Sequence, residues 1–159
     1  MKVFERMSRR VTTVSFSTSF AKCWELIFKK GIHGLPVVDN KKYLLGIIAE
    51  EDLLGRLYPS YKEFFNDITG SMDLEGMEEK IHELTRLKAE DIMNKKVFTT
   101  APQVPILRAL SLMIVHQVRQ LPVIDKKKKV IGIISKGDIF DALFKKHLKR
   151  VLTNQGKII

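Results

Sequence analysis

Two aspartates, Asp52 and Asp138, are the side chains of this sequence with the clearest chemical potential. Each stands at the end of the same pattern, which runs from Leu-Pro-Val through a polar turn to Gly-Ile-Ile, and the two copies are 86 residues apart. A carboxylate can accept hydrogen bonds on both of its oxygens, and it also stabilises the N-terminus of a helix. The sequence therefore predicts that each aspartate lies at the N-terminus of a helix, and a plain helix cap is the simplest role for it.

Known catalytic and metal-binding patterns are absent from the sequence. It contains no glycine-rich phosphate loop followed by Lys-Ser/Thr, no nucleophile elbow and no His-Glu-x-x-His helix. The single cysteine, Cys23, excludes an internal disulfide and a zinc cluster built on cysteines. His82, His116 and His147 have no metal-ligand spacing. We therefore expect a protein that is not an enzyme, with no metal and no required cofactor.

Composition indicates a globular protein of one compact domain or of two small halves. The chain has 159 residues, of which 45% are hydrophobic and 29% are charged. No apolar run approaches the roughly 20 residues that cross a bilayer, and the first residues lack the apolar stretch of a signal peptide. These features predict a cytoplasmic protein without a membrane partner.

The net charge of +10 is compatible with nucleic acid, a membrane surface or anionic small molecules as partners. Part of this charge lies in predicted turns, as at 126–129, where four lysines follow one another. The basic segment 145–150 has no interleaved aromatic residues that could stack on bases. Solvated turn lysines are therefore favoured over a binding patch.

The repeat extends well beyond the two aspartates. Residues 7–57 align with residues 93–143 without a gap and share 15 identities in 51 positions. One copy is too small to bury a full core by itself. We therefore expect two halves that pack together, with symmetry-related grooves between them.

Each copy shows the same order of predicted elements. A short opening strand at 11–14 or 97–100 precedes an amphipathic helix, and two apolar runs then form a hairpin at 35–48 or 121–134. A second helix starts at each aspartate. The stripe of the amphipathic helix is Phe20, Cys23, Trp24 and Ile27 in the first copy, and Ile106, Ala109, Leu110 and Met113 in the second. We expect Cys23 to fill a small space on the buried face.

The segment between the copies has a different composition. Its apolar stripe of Leu74, Met77, Ile81, Leu84 and Leu87 predicts an amphipathic helix that packs against the core or a second protomer. An aromatic cluster broken by a proline, at 58–65, is expected to pack against the module. The predicted boundaries are 1–57 for the first repeat, 58–88 for the linker, 89–145 for the second repeat and 146–159 for a basic tail.

The repeated motifs resemble the cystathionine β-synthase (CBS) domain. Leu-Pro-Val, an apolar residue and Asp, a polar turn, Gly-Ile-Ile and a closing Asp occur twice, and the opening Asp91-Ile92-Met93 of the second copy also matches the family. The resemblance covers residues 3–57 and 89–145. It implies an α+β fold in which two β-α-β-β-α repeats pack with pseudo-two-fold symmetry, as a stand-alone Bateman module with an inserted amphipathic linker helix.

The resemblance also implies a regulatory binder of an adenosine nucleotide, AMP, ADP or ATP, with two clefts between the halves. In the family, the closing aspartate accepts hydrogen bonds from the ribose hydroxyls. Carried over to this chain, one cleft contains Asp138, Ser135, Ile133, Ile32, His33, Arg9 and Val11. The other contains Asp52, Ile47, Val118, Arg119, Lys95 and Val97. Ile133 and Ile47 would flank the adenine.

One mismatch between the copies concerns the ribose. Three residues before the closing aspartate the family often has Ser or Thr, whose hydroxyl helps to hold the ribose or phosphate. Ser135 stands at this position in the second copy and Ala49 in the first. The cleft closed by Asp138 is therefore expected to be the better equipped.

A second mismatch concerns the phosphates, whose donors in the family often come from the positions just before Leu-Pro. These are Arg119 and Gln120 in one copy and His33 and Gly34 in the other. Arginine can make a bidentate phosphate contact, whereas histidine offers one donor and is charged only below about pH 6.5. The two clefts are therefore expected to bind unequally. A salt bridge for Arg119 and a plain surface position for His33 are the alternatives.

The resulting hypothesis is a sensor. Nucleotide binding would change the angle between the halves or between protomers of a homodimer, and an unidentified regulated protein would respond. The alternative is a basic scaffold or nucleic-acid-binding protein, whose affinity would fall steeply with salt.

Overall fold

A computed structural model describes residues 1–57 and 74–155 of the chain, without the side chains at 74, 75, 77, 78 and 149–155. The chain forms two compact units. The first unit is Thr12–Val97, and the second unit combines Met1–Val11 with Phe98–Ile159. The second unit therefore takes its first eleven residues from the stretch that the sequence repeat assigns to the first copy.

The first unit is built from one hairpin and four helices in its described part. The elements are α1 Phe20–Trp24, continued by a π-helical turn Glu25–Lys29, then β1 Gly34–Val38, β2 Leu44–Ala49, α2 Glu50–Leu57, α3 Leu74–Leu84 and α4 Ala89–Ile92.

The second unit follows the same plan with longer helices. Its elements are a 3-10 turn at Val3–Glu5, then α5 Ile106–Val115, β3 Gln120–Ile124, β4 Val130–Ser135 and α6 Lys136–Gln155. Because α6 extends to Gln155, much of the predicted basic tail continues this helix.

Both predicted hairpins are present and have the same register. Leu35 pairs with Ile48 in the first unit, and Leu121 pairs with Ile134 in the second. In the first turn, the Asp39 carboxylate accepts hydrogen bonds from the backbone N–H of Lys41 and Tyr43. This arrangement explains why an aspartate followed by polar residues separates the two apolar runs.

The opening strands are shorter than predicted. Val14 forms one parallel bridge with Val37, and Thr100 forms one with Val123. These segments are too short to add a full third strand, so the regular part of each sheet has two strands. The predicted α+β fold of two repeats is confirmed.

Helix α5 buries the whole predicted stripe, whereas in the first unit three of the four stripe residues lie in or against the core and Trp24 does not. Ile106, Ala109, Leu110 and Met113 are all buried. In the first unit Cys23 and Ile27 are buried, but Trp24 is 42% exposed and Leu26 takes its place in the core. The π-helical turn after Trp24 is wider than an α-helical turn, so it changes which residues face the core. Trp24 instead lies beneath the Lys29 ammonium, 5.3 Å from its ring centroid.

Cys23 fills a small buried space, as predicted, at the position of Ala109 in the second unit. Neither side chain is more than 1% exposed. Burial raises the pKa of the Cys23 thiol from 9.0 to about 11, since the charged thiolate loses its hydration. The thiol is therefore a packing group and a poor nucleophile.

The leading segments, residues 7–10 and 93–96, run beside the second strand of each hairpin. In the second unit Ser8 and Ile133 exchange backbone hydrogen bonds of 2.8 and 2.9 Å. In the first unit Asn94 and Ile47 do the same at 2.8 and 3.0 Å. Each unit is therefore completed by a leading segment that lies outside its own α–β–β–α stretch.

A methionine in each leading segment packs directly on a glycine of the neighbouring strand. A Cβ placed on Gly46 would lie 2.7 Å from the Met93 sulfur and 3.1 Å from the Asn94 carbonyl oxygen. A Cβ on Gly132 would lie 2.6 Å from the Met7 sulfur. Both glycines are therefore required by close approach of another segment.

The linker helix predicted from its apolar stripe is present as α3 and ends at Leu84, so that Leu87 lies beyond it and packs against the core of the first unit. The predicted aromatic cluster at 58–65 lies outside the described residues.

The packing at Gly46 yields a stability prediction. Gly46→Ala should lower the free energy of unfolding by about 1–3 kcal/mol, because the methyl group overpacks against Met93 and a backbone carbonyl. Gly55→Ala, in α2 with no atom within 4 Å of the new Cβ, is the matched control and should be neutral or stabilising by up to about 1 kcal/mol. Urea unfolding of both variants measures the difference, and equal stability of the two would contradict the packing argument.

Candidate functional site

The junction between β4 and α6 holds the most completely hydrogen-bonded polar group among the predicted site residues. The Asp138 Oδ2 accepts from the Ser135 backbone N–H at 2.8 Å and from the Ser135 hydroxyl at 2.7 Å. The Asp138 N–H donates back to the Ser135 Oγ at 3.1 Å. This reciprocal pattern is a capping box, in which Ser135 is the N-cap residue and Asp138 closes the box through its backbone N–H. Both hydrogen bonds that the carboxylate accepts use the same oxygen, Oδ2.

The matching junction in the first unit has half of this pattern. The Ala49 N–H donates to the Asp52 Oδ2 at 2.7 Å, and alanine has no hydroxyl to complete the box. Burial is the main influence on Asp52 and raises the pKa of its carboxyl above the ordinary value, with Glu51 acting in the same direction. The Ala49 hydrogen bond and Arg56 oppose this shift without cancelling it. The environment of the first junction therefore disfavours the ionised form of the Asp52 carboxyl.

Gln120 places an unpaired donor beside the second junction. Its Nε2 is buried and has no hydrogen-bond partner in the described part of the chain. Gln120 is paired in register with Ser135, and Pro122 with Ile133, so Gln120, Ser135 and Ile133 share one face of the hairpin. A buried donor without a partner costs about 1–3 kcal/mol. The Gln120 amide on this face therefore lacks a hydrogen-bond acceptor.

The second unit contains most of the residues predicted for the cleft of Asp138. Asp138, Ser135 and Ile133 follow one another along β4 and α6, and the Ser8–Ile133 bridge brings the segment of Arg9 and Val11 to the same strand. Arg9 is exposed and Val11 half-buried.

The two other residues predicted for that cleft, Ile32 and His33, belong to the first unit. Ile32 packs against the core of that unit and His33 is exposed. Their place in the cleft of Asp138 stays a prediction.

The first unit contains Asp52, Ile47, Lys95 and Val97 of the second predicted set. The Asn94–Ile47 bridge places Lys95 next to the strand that leads to Asp52. The remaining two residues, Val118 and Arg119, belong to the second unit, where the Arg119 carbonyl accepts from the Lys136 N–H at 3.0 Å. Their role in the cleft of Asp52 also stays a prediction.

Neither a metal cluster nor a membrane-spanning helix is found in the part of the chain that the structure describes. Within residues 1–57 and 74–155, no three His, Cys, Asp or Glu side chains come together as a metal site. No helix in these ranges is both long enough and apolar enough to cross a membrane.

The duplicated α+β units and their capped strand–helix junctions agree with the family that sequence comparison identifies. The family model of the CBS domain matches residues 3–59 and 89–145. The chain belongs to the CBS domain family, with two copies of the domain in tandem.

A relative and two solved structures resemble the chain along most of its length. A CBS domain-containing protein of Dictyostelium discoideum is 34% identical over 148 residues, covering 91% of this chain and 94% of the relative. The crystal structure of CBSX2 in complex with AMP aligns with a TM-score of 0.70 at 25% identity, covering 92% of this chain and 98% of that one; CBSX2 is a protein of Arabidopsis thaliana.

The third comparison supports the fold alone. The CBS domain pair of protein MJ0100, in complex with 5′-methylthioadenosine and S-adenosyl-L-methionine, aligns with a TM-score of 0.66 at 22% identity. It covers 90% of this chain and 99% of that one. The resemblance to the CBS domain that the motifs indicated is confirmed by the family model, which matches both copies.

The raised pKa of Asp52 predicts a pH dependence of stability. The folded state holds the proton of the Asp52 carboxyl more tightly than the unfolded state does. The contribution of Asp52 to the free energy of unfolding therefore falls as pH rises from the ordinary aspartate pKa, near 4, through the raised pKa. Asp52→Asn keeps an acceptor for the Ala49 N–H and removes the charge. The free energy of unfolding of the wild type, minus that of the variant, should therefore decrease over this window. Urea unfolding between pH 3.5 and 6.5 measures it, and a difference that grows with pH would refute the assignment.

Proposed function

We propose that this protein binds an adenosine nucleotide, AMP, ADP or ATP, and passes its occupancy to an unidentified regulated protein through a conformational change. The observation that carries the proposal is the unpaired Gln120 amide on the same face as Ser135 and Ile133. A ligand with an acceptor group at this face would satisfy the buried donor.

The helix-cap and ligand interpretations of Asp138 are compatible with each other. The cap uses Oδ2, and Oδ1 accepts no hydrogen bond from the described residues. An ionised carboxylate has acceptor sites on both oxygens, so Oδ1 can accept from a ribose hydroxyl while Oδ2 holds the helix. The cap thus orients the carboxylate for the ligand.

The other groups on this unit suit the remaining parts of a nucleotide. Ile133 offers a half-buried apolar surface for the adenine, and the exposed Arg9 offers a cation for phosphate. CBSX2, which is 25% identical to this chain, has been crystallised in complex with AMP. This relative supports the same class of ligand here.

The cleft of Asp138 is proposed as the stronger of the two. At the matching positions the first unit has Gly34, which offers no side-chain donor, and Ala49, which offers no hydroxyl. Asp52 is also held in a setting that disfavours its charged form. Binding at Asp52 is therefore expected to be weaker.

A homodimer is part of the proposal and rests on an exposed apolar stripe along α6. Phe140, Phe144 and Leu148 recur every four residues and are 50%, 61% and 49% exposed. Leu107 and Ile114 on α5, which packs against α6, are 56% and 59% exposed. Exposed apolar groups that form such a stripe indicate a protein contact.

We place this binding module in the cytoplasm and assign it no catalytic step.

Isothermal titration calorimetry with AMP, ADP and ATP tests the ligand. Asp138→Asn retains an acceptor for the cap and replaces the free oxygen by a donor, so it should weaken binding about tenfold or more. Gln120→Leu removes the unpaired donor at similar size and should weaken binding by a similar factor. Asp52→Asn is the matched control and should leave the tighter binding event within about twofold. Equal affinity of wild type and Asp138→Asn would remove the proposed ribose contact.

The nucleic-acid alternative predicts the opposite pattern in the same experiment. A short RNA would bind, no adenosine nucleotide would, and the RNA affinity would fall by orders of magnitude between about 50 and 200 mM salt. That outcome would contradict the function as a nucleotide sensor and support the function as a basic scaffold or nucleic-acid-binding protein.

The dimer has its own test. Phe144→Glu should shift the protein from dimer to monomer in size-exclusion chromatography with light scattering, because a charge in an apolar contact is left without a partner. Lys145→Glu, on the neighbouring position of the same helix, is the control for a charge change and should remain dimeric. A monomeric wild type would contradict the proposal.

A further inference from the structure

The second unit contains a cavity that shares no residue with either predicted nucleotide set. Its volume is about 790 Å³. It lies beside α5 and the segment 99–105 that leads into this helix, with Ile124 at the end of β3 on its wall. Ligand pockets are commonly about 300–1,000 Å³, so the cavity is large enough for a small molecule.

Arg108 supplies a cation to this cavity. Among the described residues, the Arg108 guanidinium forms no ion pair. The described residues that line the cavity include no Asp or Glu. At the matching position of the first unit, Lys22 forms an ion pair of 2.9 Å with Glu25. The Lys22 contact lowers the pKa of the Glu25 carboxyl, as expected for a formed pair.

The second unit replaces that carboxylate by Ser111. The Ser111 hydroxyl donates to the Leu107 carbonyl at 2.9 Å, so it is engaged with its own helix. The two units therefore differ at this position. Lys22 of the first unit is paired with Glu25, whereas Arg108 of the second unit is available to an anionic ligand.

Two further features add positive potential at the same end of the cavity. The N-terminal end of α5, a ten-residue helix that follows Pro105, has a positive dipole that favours an anion. The Lys2 ammonium donates to the Gln103 Oε1 at 3.0 Å, and Gln103 lines the cavity.

The rest of the wall is largely apolar. Val104, Leu112, Val115 and Ile124 all contribute to it. Val115 is 74% exposed, and the matching residue of the first unit is Lys29. The cavity thus combines an unpaired guanidinium with an apolar surface that solvent reaches, and this combination fits a ligand with a charged head and an apolar body.

We propose that this cavity binds a small organic carboxylate with an apolar body. The carboxylate pairs with the planar Arg108 guanidinium, whose two parallel N–H donors match its two oxygens. The apolar body lies against Leu112 and Val115. The site is independent of the nucleotide proposal, since none of its lining residues belongs to either predicted nucleotide set.

A titration followed by two-dimensional amide NMR tests the proposal, with hexanoate as the probe and 1-hexanol as its neutral counterpart. Hexanoate should shift the amide signals of Thr100, Arg108 and Leu112 and reach saturation. The alcohol should bind at least fivefold more weakly, because it lacks the charge that Arg108 recognises.

Two variants separate the charge from the apolar wall. Arg108→Gln should lower hexanoate affinity by about fivefold to tenfold and leave hexanol unchanged. Ser111→Glu recreates the ion pair of the first unit and should have the same effect through an intact Arg108. Lys22→Gln is the matched control and should bind hexanoate like the wild type.

The proposal is overturned if hexanoate and hexanol bind equally, if no saturating shift occurs at Thr100 and Leu112, or if Ser111→Glu binds hexanoate as tightly as the wild type. AMP affinity of Arg108→Gln should be unchanged, so that failure of this site and failure of the nucleotide site give distinct results.

Discussion

The contact between each leading segment and the neighbouring hairpin strand is the constraint on which the rest of the structure depends. Ser8 with Ile133, and Asn94 with Ile47, satisfy backbone groups along the outer side of β4 and β2. The approach is possible because Gly132 has no Cβ beneath Met7. Since the chain continues from Met7 to Arg9, this packing also brings the segment of Arg9 to the strand that leads to Asp138.

The closing aspartate of the second unit has a structural role that is compatible with its proposed ligand contact. Asp138 holds the start of α6 through Oδ2, in a reciprocal pattern with Ser135 that fixes the orientation of the carboxylate. A fixed carboxylate loses less entropy when a ligand binds than a mobile one does. The helix cap and the proposed ligand contact, which the sequence presented as alternatives, use different oxygens of the same group and are therefore compatible.

Sequence patterns predicted the hairpins, the buried stripe of α5 and the packing of Cys23, because each depends on local periodicity or on a conservative exchange of small residues. They missed the π-helical turn in α1, which moves Trp24 out of the core. They also could not show which hairpin receives Met7, since Gly46 and Gly132 both begin the same Gly-Ile-Ile sequence and both offer space for a methionine. The choice is made by tertiary packing, which no local pattern contains.

The differences between the units carry more functional information than their common scaffold. Gln120 is marked in the sequence by its mismatch with Gly34, but only the structure shows that its amide is buried without a partner among the described residues. Ser111 is likewise marked by its mismatch with Glu25, and only the contacts show that Arg108 is left available. Two copies of one scaffold can thus present two different sets of side chains to ligands.

The central claim is that an adenosine nucleotide binds at the junction of Ser135 and Asp138. Amide NMR of the wild type with substoichiometric AMP tests it most directly. We predict that the signals of Gln120, Ser135 and Asp138 shift first, and that those of Ala49 and Asp52 follow only at higher concentration. Shifts that begin at Ala49 and Asp52, or no saturating shift at Ser135 and Asp138, would contradict the account.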